Sequence, residues 1–231
     1  MDYPPLSILV VTYNRAPILK STLIALRDHV LYHGAIHVIV ADDGSTDGTQ
    51  TMVKTCFPEA ELIQSNRVGL GASTNAGLRA AFVHSPYVLQ LQDDMELLAT
   101  LDLHPHIRRL VDDEQCGFIR LWGVSGHNGY TGTLNEGYWR IWWDSPMHYI
   151  PSDRPHIKHQ RFHDFFGYYP EGLKTADTEE AWCHQCKDVW TEAKVLGTVA
   201  EAPHVYVPHS VETEKSWEHM GYHQRWRDEG L

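Results

Sequence analysis

The 231-residue sequence lacks an apolar run long enough to span a bilayer. Residues 1–5 carry no basic region ahead of the apolar stretch that follows them, which predicts that the chain has no signal peptide. Cationic residues are in deficit, and the net charge of −11 argues against a broad face for nucleic acid or anionic lipid. We therefore expect a cytoplasmic protein, either free or peripheral to a membrane.

Cysteine is also scarce, with four residues: Cys56, Cys116, Cys183 and Cys186. Their spacing is not that of a disulfide framework, so we expect reduced thiols. Cys183 and Cys186 form a C-x-x-C pair, but a second pair at zinc-finger spacing is missing. The pair is therefore interpreted as ordinary helix residues.

The first half of the sequence alternates short apolar runs with amphipathic stretches. We predict strands at 6–11, 37–41, 60–64 and 87–91, with helices between them, the first opening at Pro17. This repetition is typical of an α/β fold with a parallel sheet and right-handed crossovers.

The second half is richer in aromatic residues, histidine, glycine and proline. Strands are predicted at 116–122, 138–144 and 204–207, a long ordered loop at 151–174, and a helix at 177–193 that begins with Asp177 or Thr178 as its N-cap. The sequence contains no internal repeat and no low-complexity linker. A single domain over residues 1–231 is therefore expected.

Polar motifs follow three of the predicted strands, at 12–15, 42–49 and 92–94. Ligands of parallel α/β sheets bind at the carboxyl ends of the strands, so these motifs are expected to converge on one site. A carboxylate of Asp42 or Asp43 could accept hydrogen bonds from a nucleobase or a ribose. The same Asp/Gly/Ser-rich turn could instead serve only to begin the next helix.

A glycine-rich stretch at 66–77 precedes the third predicted helix. Its backbone amides could approach phosphates. It is not a complete dinucleotide fingerprint, because Thr74 stands where a third glycine is needed and the stretch does not follow the first strand. The alternative is a helix start whose small residues allow close packing.

Asp93 and Asp94 are adjacent carboxylates at a strand end, and they repel each other unless a cation or hydrogen-bond donors compensate them. A divalent ion bound through oxygen ligands would do so. A solvated acidic turn is the alternative. His209 could add an imidazole ligand, which would favour manganese over magnesium, or it could be one of many surface histidines.

Three carboxylates, those of Asp177, Glu179 and Glu180, lie at the start of the late helix. The helix dipole keeps a carboxylate there ionised, and such a group could act as general base toward an acceptor hydroxyl. Simple capping and solvated surface charge are the alternative interpretation.

Together these motifs resemble the glycosyltransferases of family two, which have the GT-A fold. The resemblance depends on residues 11–15, 40–47, 66–77 and 91–94, in the order and spacing that the family uses. It implies a mostly parallel, Rossmann-like sheet flanked by helices. It further implies a nucleotide-sugar-binding half at 1–100 and an acceptor-binding half at 101–231.

The resemblance also implies roles for individual residues. The nucleotide-sugar contacts would come from Thr12, Tyr13, Arg15, Asp42, Asp43, Asn75 and Asp93. Asp94 matches the metal-binding D-x-D position, although Gln92 replaces the first aspartate, and His209 resembles a late metal ligand of some GT-A enzymes. Asp177 best matches the catalytic base, although Ala176 replaces the preceding glutamate. A shifted register would assign the base to Glu179 or Glu180.

The implied reaction is a single displacement that inverts the anomeric carbon. The expected donor is a uridine-diphosphate sugar, the expected cofactor Mn²⁺ or Mg²⁺, and the expected enzyme class a hexosyltransferase. A glycan hydroxyl is the favoured acceptor, ahead of a modified nucleic-acid base. Two alternatives remain: a nucleotidyltransferase, disfavoured because residues 11–17 contain no glycine, and an inactive nucleotide-sugar-binding module.

Overall fold

The structure, a computed structural model, describes residues 3–121, 131–145, 150–151, 153–197, 202–208 and 217–219. The helices are α1 (Ala16–His29), α2 (Thr49–Cys56), α3 (Leu70–His84), α4 (His104–Asp112), α5 (Arg161–Phe166) and α6 (Thr175–Leu196). The strands of the main sheet are β1 (Leu6–Thr12), β3 (Ile36–Asp42), β4 (Glu61–Gln64), β5 (Tyr87–Gln92), β8 (Cys116–Arg120), β9 (Gly132–Asn135), β10 (Tyr138–Ile141), β11 (His156–His159) and β12 (His204–Pro208). Two short pairs, β2 (Val30–Leu31) with β7 (Leu101–Asp102) and β6 (Met95–Leu97) with β13 (Trp217–His219), lie outside it.

The nine strands of the main sheet are ordered β4-β3-β1-β5-β11-β8-β12-β10-β9. The first four run parallel to one another. β11 pairs antiparallel with both β5 and β8, and β10 pairs antiparallel with both β12 and β9. β12 pairs parallel with β8. Among these nine described strands, only β11 and β10 therefore oppose the common direction, and the predicted mostly parallel α/β sheet is confirmed.

Helices cover both faces of the sheet. All seven residues of β1 are buried, and they alternate between two cores. Ile8 and Val10 pack with residues of α1, α2 and α4 on one face, whereas Leu9 and Val11 pack with residues of α3, α5 and α6 on the other. A strand buried on both faces must be apolar along its whole length, which is why the run at 6–11 is so clear in the sequence.

The prediction of a long loop at 151–174 is wrong. This segment contains β11, a central strand of the sheet, and the helix α5. The prediction failed because β11 carries His156 and Lys158 at positions that are completely buried. Polar residues of this kind mask the apolar pattern by which a buried strand is recognised.

The late helix also begins earlier than predicted. The amides of Asp177 and Thr178 both donate to the Lys174 carbonyl, so Lys174, and neither Asp177 nor Thr178, is the N-cap of α6. Cys183 and Cys186 are buried and not disulfide-bonded, and both lie on this helix, as predicted. Across the described residues, every helix is too short or too polar to cross a membrane.

Candidate active site

The three polar strand ends meet, as predicted. The Asp43 amide donates to the Thr12 carbonyl at 3.0 Å, and the Asp93 amide donates to the Val11 carbonyl at 3.1 Å. These bonds continue the parallel pairing of β3 and β5 with β1 beyond the regular strands. The ends of three neighbouring strands thus form one polar edge.

Asp93 lies at the centre of this edge and is almost completely buried. Its carboxylate accepts a 2.6 Å hydrogen bond from the Thr12 hydroxyl and a 3.1 Å bond from the Arg15 guanidinium. Burial raises the pKa of Asp93 to about 6, although Thr12 and Arg15 both favour its charged form. The loss of hydration therefore outweighs the contacts that stabilise the charge.

Arg15 joins the two adjacent carboxylates. The same guanidinium nitrogen that contacts Asp93 donates to Asp94 at 2.8 Å. Asp94 is buried, whereas the Arg15 side chain is 46% exposed. The compensation that this acidic pair requires is thus supplied, at least in part, by a cation of the chain itself.

The turn after β3 is organised by two carboxylates with different partners. The buried Asp42 carboxylate accepts from the amide and hydroxyl of Ser45 and from the Gln50 amide group. The Asp43 carboxylate accepts from the backbone amides of Val68 and Gly69, at 2.8 and 3.0 Å. Asp43 therefore ties the turn to the glycine-rich stretch and engages two of its amides.

The glycines of that stretch have a packing role. A Cβ atom on Gly71 would lie 2.1 Å from the Pro170 carbonyl oxygen, and one on Gly77 would lie 2.5 Å from a methyl group of Leu9. No side chain fits at such distances. This geometry supports the interpretation of the stretch as a closely packed helix start.

Tyr13 is exposed at the same edge of the sheet. The Arg67 guanidinium lies over its ring, 5.3 Å from the centroid. Sequence reasoning did not single out Arg67. An aromatic ring and a guanidinium beside Asp42 and Asp43 form a surface against which a nucleobase can stack.

Asn75 is buried and faces the protein interior. Its amide nitrogen donates to the Tyr169 carbonyl and to Glu171, and its amide oxygen accepts from the Tyr169 backbone amide at 3.0 Å. The structure thus gives Asn75 a structural role, and its contact with the donor stays a prediction. This side chain fixes the segment that leads into α6, and Tyr169 and Glu171 are further residues that sequence reasoning missed.

The start of α6 packs against the start of α3. The contact is close, since a Cβ atom added to Gly71 would lie 3.4 Å from the Thr178 methyl group. Asp177 and Glu180 are exposed and lie three residues apart, hence on one face of the helix. The partly buried Glu179 carboxylate accepts from the Asp153 backbone amide at 3.0 Å. Two of the three candidate bases are therefore accessible to an acceptor.

The side chains that could bind a divalent ion are the adjacent carboxylates of Asp93 and Asp94. Among the described residues, no three His, Cys, Asp or Glu side chains converge to hold a metal, and His209 lies outside the described residues. However, Mg²⁺ commonly binds through one or two carboxylates together with substrate phosphates. The carboxylate oxygens of Asp94 and its neighbour Asp93 fit an ion of that kind.

The sheet topology and the acidic strand ends define a GT-A fold, that of many nucleotide-sugar transferases. The chain belongs to Glycosyl transferase family 2, whose family model matches residues 7–174. It thus contains a family 2 glycosyltransferase domain. No curated protein sequence matches this chain.

Solved glycosyltransferase structures share the fold. TarS from S. aureus in complex with UDP-GlcNAc matches with a TM-score of 0.62 and 21% identity, over 96% of this chain and 61% of that one. The mannosyltransferase PcManGT from Pyrobaculum calidifontis, in complex with GDP-Man and Mn²⁺, matches with a TM-score of 0.57 and 17% identity, over 90% of this chain and 57% of that one. GalNAc-T7 with UDP, GalNAc and Mn²⁺ matches with a TM-score of 0.63 and 13% identity, over 90% of this chain and 43% of that one. The chain thus spans less than two thirds of these proteins.

Proposed function

We propose that this glycosyltransferase moves a hexose from a uridine-diphosphate sugar to an acceptor hydroxyl, with inversion at the anomeric carbon. The observation that carries the proposal is the packing of α6, with two exposed carboxylates in its first turns, against the start of α3 at the polar edge of the sheet. The proposed nucleotide-binding edge and the candidate bases would then lie near each other, at the start of α3. The UDP ligands of TarS and GalNAc-T7 support the choice of uridine.

The donor would lie along the three strand ends. Tyr13 and Arg67 would stack on the base, and Asp42 or Asp43 would accept from the base or the ribose. Thr12 and Asp93 would contact the ribose side of the donor. Arg15, which is half exposed beside the carboxylates, would contact the diphosphate.

Asp94 would hold a divalent ion, to which His209 is proposed as a second ligand. When bound, Mn²⁺ or Mg²⁺ supplies positive charge that stabilises a departing diphosphate. The solved neighbours PcManGT and GalNAc-T7 contain Mn²⁺, which supports a divalent ion here.

The acceptor would approach from the α6 side, in the half formed by residues 101–231. There Asp177 would accept the proton of the acceptor hydroxyl while the oxygen attacks the anomeric carbon opposite the diphosphate. Glu180, exposed on the same helix face, is the second candidate. Glu179 is less suited, because one of its oxygens is bound by the Asp153 amide. A glycan is the proposed acceptor.

The donor proposal predicts that UDP stabilises the protein against heat in the presence of Mn²⁺ and does so less without the ion, because a ligand that binds only the folded state raises the melting temperature. GDP should give a smaller shift than UDP under the same conditions. Equal or larger stabilisation by GDP would rule out the uridine donor. Slow hydrolysis of a UDP-hexose then distinguishes an active transferase from an inactive binding module.

The same assay tests the metal ligand. Asp94→Ala should abolish both turnover and the Mn²⁺ dependence of UDP binding while the protein stays folded, because Arg15 remains half hydrated and Asp93 retains its Thr12 bond. Asp28→Ala, which removes an exposed carboxylate from α1, is the charge-matched control. Near-normal turnover of Asp94→Ala would show that Asp94 is not a metal ligand.

The base proposal predicts different effects for three amide substitutions. Asp177→Asn should leave UDP binding intact but lower the turnover number by about 100-fold or more, the loss expected when a general base is removed. Glu179→Gln and Glu180→Gln should retain most of the activity. If Glu180→Gln is inactive and Asp177→Asn is active, the base is Glu180, about one helical turn further along α6. If all three variants are active, the catalytic base does not lie on this helix.

A further inference from the structure

A cluster of buried polar side chains lies directly behind the first turns of α6. It contains Gln90, Asp153, His156, Lys158, His163, Tyr169 and Trp182, all less than 10% exposed. In Gln90, Asp153, His156, Lys158, His163 and Trp182, one side-chain oxygen or nitrogen has no hydrogen-bond partner among the described residues. A buried polar group without a hydrogen-bond partner destabilises the fold, so apolar side chains would be more stable here unless these residues serve a function.

Lys158 lies at the centre of this cluster. Its ammonium group is 5.2 Å from the centroid of the Tyr169 ring, and its charge acts on both His156 and His163. Burial lowers the pKa of Lys158 to about 7 and raises the pKa of Asp153 to about 7. Each of these two side chains also keeps one buried polar atom, the Lys158 ammonium nitrogen and an Asp153 carboxylate oxygen, without a hydrogen-bond partner among the described residues. The charge of each residue opposes the pKa shift of the other.

The cluster connects the elements that carry the candidate site. The Asp153 amide donates to Glu179 at the start of α6. The Asp153 carboxylate interacts with the Tyr169 hydroxyl, which favours the charged form of Asp153. That hydroxyl also accepts from Gln90 on β5, the strand that leads to Asp93. The Tyr169 ring stacks on Trp182 of α6, with centroids 4.6 Å apart. A continuous set of contacts therefore runs from the donor edge to the proposed bases.

We propose that Lys158 and Asp153 form a buried positioning pair, which fixes the Glu179 carboxylate and with it the first turns of α6. Ordered water between the Lys158 ammonium group and the free Asp153 oxygen would satisfy both atoms. The pair touches neither donor nor acceptor. It sets where Asp177 and Glu180 stand relative to the sheet, and its effect on turnover rests on the proposed function.

The test is Lys158→Met, which keeps the length of the side chain and removes its charge. Because removal of one partner from a buried charged pair destabilises a protein, the fold of this variant is checked by thermal unfolding before its kinetics are compared. Its turnover number should fall by about tenfold or more, since small misplacement of a catalytic group lowers rates strongly, while the KM for donor changes less than about threefold. Lys187→Met is the matched control, because Lys187 contacts the Trp143 and Ser145 carbonyls and lies on a later turn of α6.

Amide hydrogen exchange supplies a readout that does not depend on activity. In Lys158→Met, exchange should become faster in peptides covering 153–155 and 175–182, but not in those covering β1 or β3. Unchanged exchange and unchanged turnover in a folded Lys158→Met would overturn the proposal. If the wild-type protein turns over no donor at all, the proposed function fails, whereas the exchange experiment still decides whether the pair positions α6.

A second variant guards against misfolding of the first. Asp153→Asn keeps the backbone amide that binds Glu179 but removes the charge that Lys158 faces. If the two residues act as a pair, the double variant should lose no more turnover than the more severe single variant. Losses that simply multiply would show that the two side chains act independently, and would overturn the pairing.

Discussion

The pair Asp93–Asp94 shows how much a single residue type can specify. The repulsion between the two carboxylates predicts a compensating cation, and the structure provides one in Arg15, which contacts both. The convergence of the strand ends followed from their positions after apolar runs. The partners of Asp43 and Asn75 could not be predicted, because each contact joins residues 25 or more positions apart.

The raised pKa of Asp93 predicts a pH-dependent stability. A carboxyl group with a folded-state pKa of about 6 and an unfolded value near 4 stabilises the fold below pH 4, and this contribution is lost as the pH rises to about 6. Asp93→Asn is neutral at every pH. The free energy of unfolding of the wild type, relative to this variant, should therefore rise by about 2–3 kcal/mol between pH 7 and pH 4.

Urea titrations of both proteins across that range measure the difference. A constant difference between pH 4 and pH 7 would mean that the pKa of Asp93 is not raised. Asp28→Asn, which alters an exposed carboxylate outside the polar edge, controls for the general effect of acid on the fold.

Individual elements were predictable where one physical rule dominated. The apolar runs of β1, β3 and β5 reflect burial on both faces, and Pro17 marks the start of α1. β11 was missed because its buried positions include His156 and Lys158. The short β2, β6, β7 and β9 strands and the helix α4 were missed too, since two to four residues carry little periodic signal, and the apolar positions of α4 are few.

The contact between α3 and the segment before α6 predicts the effect of Gly71→Ala. Helix propensity alone would favour alanine by about 1 kcal/mol. The added Cβ would lie 2.1 Å from the Pro170 carbonyl oxygen, a backbone atom that must move, and such overpacking costs about 1–3 kcal/mol. We expect net destabilisation and a lower turnover number, with UDP binding preserved.

Thermal unfolding and steady-state kinetics of Gly71→Ala measure both effects. Ala76→Gly, at a partly buried position five residues further along α3, gives the propensity difference at a second position. A Gly71→Ala variant that is more stable than the wild type would show that the segment before α6 yields easily and is not held against α3.

At the scale of the whole molecule, the order of the strands along the sheet could not be read from the sequence. β11 lies between β5 and β8, about 60 and 40 residues away along the chain, and pairs antiparallel with both. Periodicity reports the local environment of a strand but not its neighbours. The division into a half at 1–100 and a half at 101–231 remains a proposal, and one sheet contains strands of both.

This arrangement predicts the behaviour of a fragment. Residues 1–100 alone would leave one edge of β5 without its β11 partner, and exposed edges of apolar strands associate. Such a fragment should elute from a sizing column as large assemblies, with the intact chain as reference. A monomeric fragment with a cooperative unfolding transition would show that the first half folds without β11.

Because β11 joins the two proposed halves through backbone hydrogen bonds on both of its edges, the halves cannot approach each other by rotating about a linker. The distance from the carboxylates of Asp93 and Asp94 to those of Asp177 and Glu180 is then fixed by the fold. In the proposed mechanism, an acceptor would react only if its hydroxyl reaches from the carboxylates of α6 to the donor sugar. Under the proposed function, lengthening or shortening the segment at 167–174, which precedes α6, would change this distance and with it the acceptors that react.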